Sequence, residues 1–211
     1  MVRLFNYWRS SASYRVRLAL AFKGLRYEYV PVNLAAGEQH GAAHVARNPW
    51  HSVPVLELDG GELVPQSVAI AEYLDEVHPT PPLFPGAPLA RARVRALVEV
   101  VNSGIQPLHN LQVLQYVKAT GGDEKAWSAK WIGQGLDALE RLAAASAGTF
   151  LVGDTFTFAD ACLLPQLYGA RRFASVDPAR LPTLARVEAH CLTLEFVQQA
   201  RPEAQPDAVN P

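Results

Sequence analysis

The turn Trp8-Arg9-Ser10-Ser11-Ala12-Ser13 sets three hydroxyls and a guanidinium just ahead of an apolar, helix-spaced segment. Hydroxyls at the amino end of a helix sit beside free N–H groups and the positive end of the helix dipole. That setting favours an anion. It also lowers the pKa of a bound thiol, so that the thiolate persists. The plainer reading is a serine N-cap, which needs no ligand.

Three further places carry the residue types for binding. In Ser52-Val53-Pro54-Val55 a proline stands just before an apolar strand. A cis bond there would turn the preceding backbone outward, and Val53 would offer its N–H and C=O to an extended peptide, as an added strand does. A trans proline opening a strand is the commoner case. Gln66-Ser67 mark a second helix start, suited to a carboxylate or simply to capping. Arg9, Arg15, Arg17, Arg171 and Arg172 have the fork that grips carboxylates, although most surface arginines are only solvated. His109 and Asn110 lie on a stretch that reads as helix, where a lone histidine is more often packed than catalytic.

The elements that must position these residues follow from the pattern. Val2 to Trp8 reads as a strand, and Tyr14 to Phe22 as a helix that Gly24 ends. Tyr27 to Val32 is a second strand. Leu34 to Arg47 is a loop with a short helix. Val55 to Asp59, Gly60-Gly61 and Glu62 to Val64 form a hairpin, after which Ser67 caps a helix. The order is β-α-β-α-β-β-α over residues 1–78. The segment 79–88 is rich in proline and reads as a linker. Residues 89–211 read as all-helical: one helix from Ala90 to about Thr120 with a kink at Pro107, another from Glu124 to Ala147, and a third opened by a Thr157/Asp160 capping box and running to about Arg172. Pro182 starts a further helix. The polar tail from Pro202 to Pro211 is expected to lie on the surface or move freely.

Composition removes whole classes. The 211 residues are 49% apolar and 18% charged, enough for a proper core. A net charge of -1 argues against broad electrostatic affinity for nucleic acid. Two cysteines, Cys162 and Cys191, exclude a disulfide scaffold and a four-cysteine zinc site. No GxSxG, GxGxxG, P-loop or HExxH motif is present, and no metal site is expected. With no signal-like start and no long apolar run, the expectation is a cytoplasmic protein without membrane contact.

Together these segments resemble the zeta class of cytosolic glutathione transferases, the maleylacetoacetate isomerase family. The resemblance is sharpest over Arg9-Ser10-Ser11-Ala12-Ser13-Tyr14-Arg15-Val16-Arg17-Leu18-Ala19-Leu20, which is similar to the class signature S-S-C-x-W/H-R-V-R-I-A-L. Asn48-Pro49 through Val53-Pro54, Gln66-Ser67, Gly104 to Asn110 and Ala159 to Pro165 fit as well. Ala12 replaces the usual cysteine, and Tyr14 the usual tryptophan or histidine.

The resemblance implies a fold of α/β plus all-α type, a thioredoxin-like N-terminal domain followed by a helical one. It implies glutathione as cofactor, a small dicarboxylate as substrate and a homodimer. Ser10 would stabilise the thiolate, with Ser11 the alternative. Val53 would pair with the cysteinyl backbone, Gln66 and Ser67 would hold the γ-glutamyl carboxylate, and Gln39 the glycyl end. Gln106 and Asn110 would line the cleft, and Arg9 and Arg172 would grip the two carboxylates of the substrate. The implied reaction, from tyrosine and phenylalanine breakdown, is isomerisation of maleylacetoacetate to fumarylacetoacetate by reversible thiolate addition. Maleylpyruvate isomerisation, general glutathione transfer and a non-catalytic binding module are the alternatives.

Overall fold

The computed structural model describes residues 1–174 and 176–209 of the 211. It divides into two compact units: Met1–Leu83 together with the segment from Thr193 on, and Phe84–Leu192. The last two residues of the expected tail lie outside the described residues. This division differs from the expected one, 1–78 and 89–211, because the end of the chain belongs to the first unit.

The first unit opens with β1 (Arg3–Asn6), α1 (Ser11–Phe22) and β2 (Glu28–Pro31). A short 3-10 turn (Glu38–His40) and α2 (Ala42–Arg47) lead to β3 (Val55–Glu57), β4 (Leu63–Pro65) and α3 (Ser67–Val77). The expected β-α-β-α-β-β-α order is the order observed. The four strands lie in the order β2-β1-β3-β4. β1 is parallel to β2 across the α1 crossover and antiparallel to β3, with Phe5 opposite Val55.

The second unit holds α4 (Pro88–Glu99), α5 (Leu111–Ala119), α6 (Glu124–Ala144), α7 (Phe158–Ala170) and α8 (Pro182–Cys191). The remaining helix, α9 (Glu195–Ala200), belongs to the first unit. The single helix expected from Ala90 to Thr120 is four pieces. After Glu99 the chain widens into a π-type turn (Val100–Ile105), tightens into a 3-10 turn (Gln106–His109), and resumes as α5. Val100, Val101, Asn102, Ser103 and Gly104 are weak helix formers, and Pro107 cannot donate into a helical ladder. The turn is also seated by packing: a Cβ on Gly135 of α6 would come within 2.3 Å of the fully buried Ile105 side chain. Only glycine leaves room there.

α7 is buried along almost its whole length, as an all-round apolar helix should be. Its start has the expected capping arrangement: Asp160 accepts the Thr157 N–H at 2.8 Å and the Thr157 hydroxyl at 2.9 Å, and a further N–H from Leu151 at 2.8 Å.

α1 is packed between α3 and α9. Its polar residues are therefore buried with its apolar ones. Arg15 and Arg17 are 1% and 0% exposed.

Candidate active site

Strand register brings the first unit's candidate residues to one end of its sheet. β1 ends at Asn6 and β2 at Pro31, which face each other. β3 begins at Val55, opposite both Phe5 and the last residue of β4, Pro65. The turn holding Arg9 and Ser10, the segment with Gln39, the Val53 approach and the Gln66-Ser67 start all emerge at this end. Side-chain contacts bear this out. Trp8 and Val53 belong to one buried apolar cluster. The Nδ1 atoms of His40 and His51 are 3.3 Å apart, and His44 Nε2 lies 3.0 Å from the Ser52 carbonyl, so the Gln39 segment runs along residues 51–52.

Ser10 is the N-cap of α1: its Oγ accepts the Ser13 N–H at 3.2 Å, and its carbonyl accepts the Tyr14 N–H at 2.9 Å. Capping still leaves the hydroxyl proton to donate. Accepting a hydrogen bond also polarises the O–H, which strengthens it as a donor. Ser11 is the first helical residue. Among the described residues the N–H groups of Ser11 and Ala12 take no partner, so the turn presents free donors at the positive end of the dipole. Arg9 is exposed beside them, its guanidinium 5.4 Å from the centre of a Trp8 ring.

The Val53–Pro54 peptide is cis, the less common of the two readings that the sequence left open. Val53 stands ahead of β3, outside the ladder, and its side chain is buried. Among the described residues its N–H and C=O make no hydrogen bond. Gln39 is buried, and its Oε1 has no hydrogen-bond partner among the described residues. An orphaned buried acceptor is costly and points to a donor supplied by a ligand.

Gln66 and Ser67 depart from the expected cap. The N-cap position belongs to Gln66, which has φ 74° and ψ 122° and no side-chain capping bond. That backbone region is close to glycine-only, and a glutamine held there marks a strained site. Ser67 is the first residue of α3, and its Oγ accepts from Arg15 Nη1 at 3.3 Å.

The arginines separate. Arg15 and Arg17 are structural, which corrects their candidacy as substrate ligands. Arg17 donates to the Asn6 side chain at 3.1 Å and to the carbonyls of Tyr7, Trp8 and Ala200 at 3.4, 2.8 and 3.0 Å. Burial lowers its pKa from the ordinary arginine value. Arg171 is held bidentate by Glu188 at 2.6 Å. Arg172 is exposed in the turn after α7.

In the second unit Gln106 Nε2 donates to Asn110 Oδ1 at 3.3 Å. His109 is buried between them in sequence. Its ring lies 6.0 Å from that of Phe173, next to Arg172, and its Nε2 is 3.3 Å from Gln166 Nε2. It is a packed residue. Gln106, Asn110 and Arg172 thus belong to one unit, and Ser10, Gln39, Val53, Gln66 and Ser67 to the other.

A thioredoxin-like sheet with a cis-proline approach, followed by a helical unit, defines the glutathione transferase architecture. Residues 1–76 match the N-terminal domain of glutathione S-transferase, and residues 125–191 its C-terminal domain. The chain is 44% identical over 206 residues to the maleylacetoacetate isomerase of Mus musculus, covering 97% of this chain and 94% of that one. The crystal structure of maleylacetoacetate isomerase from Anaeromyxobacter dehalogenans with GSH bound in the active site is similar at TM-score 0.91 and 50% identity, covering 99% and 98% of the two chains. A holo maleyl pyruvate isomerase, a bacterial zeta-class glutathione S-transferase, is similar at TM-score 0.93 and 42% identity, covering 98% and 100%. The chain belongs to the glutathione S-transferase family and, within it, to the zeta class that holds the maleylacetoacetate isomerases.

Proposed function

We propose that the protein is a glutathione-dependent cis–trans isomerase converting maleylacetoacetate to fumarylacetoacetate. The observation that carries this reading is the convergence at one sheet end of a capping serine, an unpaired strand-like backbone at Val53 and an orphaned buried amide oxygen at Gln39. Those features fit glutathione. Val53 offers the donor and acceptor that an extended cysteinyl peptide would pair. Gln39 Oε1 can accept from the glycyl N–H. Gln66 and Ser67, at the start of α3, suit the γ-glutamyl carboxylate.

When bound, glutathione supplies a thiolate that adds reversibly to the conjugated cis double bond, so that rotation can occur about a single bond. The protein's own part is electrostatic and positional. Ser10 donates its hydroxyl proton toward the sulfur, with Ser11 as the alternative donor, and the free N–H groups of Ser11 and Ala12 favour negative charge there. Arg9 holds a carboxylate of the substrate and stabilises the charge that builds on its carbonyl side. Arg172 serves the other carboxylate, and Gln106 and Asn110 are further binding residues of the second unit. The same reading makes the protein a cytoplasmic homodimer of tyrosine and phenylalanine breakdown, supported by its class. No helix among the described residues is long and apolar enough to cross a membrane.

Calorimetry with glutathione tests the cofactor part. Saturable binding at millimolar glutathione or below, weakened by Ser67→Ala, is the expected result. An absence of binding would leave a transferase-like module with no cofactor.

A further inference from the structure

The peptide groups flanking Trp8 are gripped from both sides. The Trp8 carbonyl accepts from Arg17 Nη2 at 2.8 Å, and the Trp8 N–H donates to Asp207 Oδ2 at 3.2 Å. Trp8 stands two positions before Ser10, whereas Asp207 comes from the other end of the chain. The second oxygen of that carboxylate accepts the phenolic proton of Tyr29 on β2. Both oxygens of a half-buried carboxylate are therefore engaged, by charge-assisted bonds stronger than those of an ordinary surface pair.

The segment that carries Asp207 is itself fastened. Gln205 is buried, and its Nε2 donates to the Gln199 and Arg201 carbonyls at 2.9 and 2.8 Å, at the end of α9. Ala208 packs against the apolar cluster that contains Trp8 and Val53. The Ala200 carbonyl accepts from Arg17 Nε, so α9 also holds the second grip on Trp8. The tail, expected to lie on the surface or move freely, is fastened by Gln205 and Asp207.

We infer that Asp207 is a positioning residue for the thiolate site: with Arg17 it fixes the backbone of Trp8, and through it the placement of Arg9 and Ser10. The inference rests on the glutathione reading above. A misplacement of about 1 Å at such a turn costs on the order of a hundred-fold in rate, so loss of one of the two grips is expected to show in chemistry more than in binding.

The test follows the ultraviolet absorbance of enzyme-bound glutathione thiolate against pH, together with kcat and KM, in wild type, Asp207→Ala, Asp207→Asn, Ser10→Ala and Leu74→Ala. Leu74 is a buried residue of α3, and its truncation supplies a loss of stability unrelated to Trp8. Asp207→Ala is expected to move the thiolate titration to higher pH by roughly one unit, a ten-fold change in equilibrium. Its kcat should fall by roughly ten-fold and its KM for glutathione by less than about three-fold in either direction. Asp207→Asn, which keeps one acceptor oxygen, should lie between it and wild type and carries the test if the alanine variant does not fold. A wild-type titration in a folded Asp207 variant would overturn the inference, as would an equal shift in Leu74→Ala. If Ser10→Ala also leaves the titration unmoved, the thiolate role itself falls and the inference with it. If Ser10→Ala moves it and Asp207→Ala does not, only the inference fails.

Discussion

Arg15 Nη1 donates to Ser67 Oγ at 3.3 Å and so joins the second turn of α1 to the first turn of α3. The signature arginine at position 15 bears on the candidate glutathione site through Ser67, the residue proposed to bind there. Both side chains are buried, with Arg15 1% and Ser67 4% exposed. Removing the serine oxygen takes an acceptor from a buried charge. Ser67→Ala is expected to lose about 1–2 kcal/mol of stability in urea unfolding and to raise the KM for glutathione by roughly ten-fold. Ser67→Thr keeps the oxygen and is expected to recover most of the stability.

Ser10 has two jobs, which one pair of substitutions separates. As N-cap it holds the Ser13 N–H, and Ser10→Ala is expected to cost about 1 kcal/mol of stability together with activity. Aspartate caps as well as serine, so Ser10→Asp is expected to stay within about 0.5 kcal/mol of wild type. A carboxylate beside a thiolate repels it, and kcat should fall by roughly a hundred-fold or more. A Ser10→Asp enzyme as active as wild type would move the donor role to Ser11.

Gln66 sits at φ 74°, a cost of about 1–3 kcal/mol for a residue with a Cβ. Gln66→Gly is expected to raise the unfolding free energy by about 1 kcal/mol and to weaken glutathione binding by roughly ten-fold in calorimetry. Opposite signs for stability and affinity are the signature of strain kept for binding.

Asp160 gives a pH dependence with a definite sign. Burial pushes its carboxyl up to about 6, against the pull of N–H groups from Leu151 and Thr157 and of the Thr157 hydroxyl. The folded state therefore holds this proton more tightly than the unfolded chain, whose value is 3.8. Its contribution to stability is largest below about pH 4, declines as pH rises through about 6, and is flat above. The unfolding free energy of wild type, relative to Asp160→Asn, should fall across that window by on the order of 3 kcal/mol. A rise across it would contradict the assignment.

Local signals in the sequence were enough for the strand-turn-helix that starts at β1, for the proline ahead of β3 and for the Thr157/Asp160 cap. Each depends on residues close in the chain. The buried arginines were not legible, because Arg15 and Arg17 alternate with apolar residues as solvated arginines do. Their burial comes from α3 and α9 closing over α1 from distant sequence. The sequence reads Gln66 as the residue before a serine cap, since nothing in a Gln-Ser pair announces a positive φ. The break between α4 and α5 left a trace in Val100 to Gly104 that apolar periodicity masked. The fastening of the tail is not legible, because its proline-rich composition carries no sign of the partners, Trp8 and Tyr29, that Asp207 meets.

The central claim is that turnover needs glutathione and does not consume it. The direct measurement is the isomerisation rate of maleylacetoacetate by the purified protein, with and without added glutathione, beside the same assay with maleylpyruvate and a thiol count before and after. The account predicts a rate that saturates with glutathione, a thiol count unchanged over many turnovers, and a higher kcat/KM for maleylacetoacetate. Isomerisation at the same rate without glutathione, or none with it, would contradict the account. A higher kcat/KM for maleylpyruvate would keep the chemistry and change the substrate.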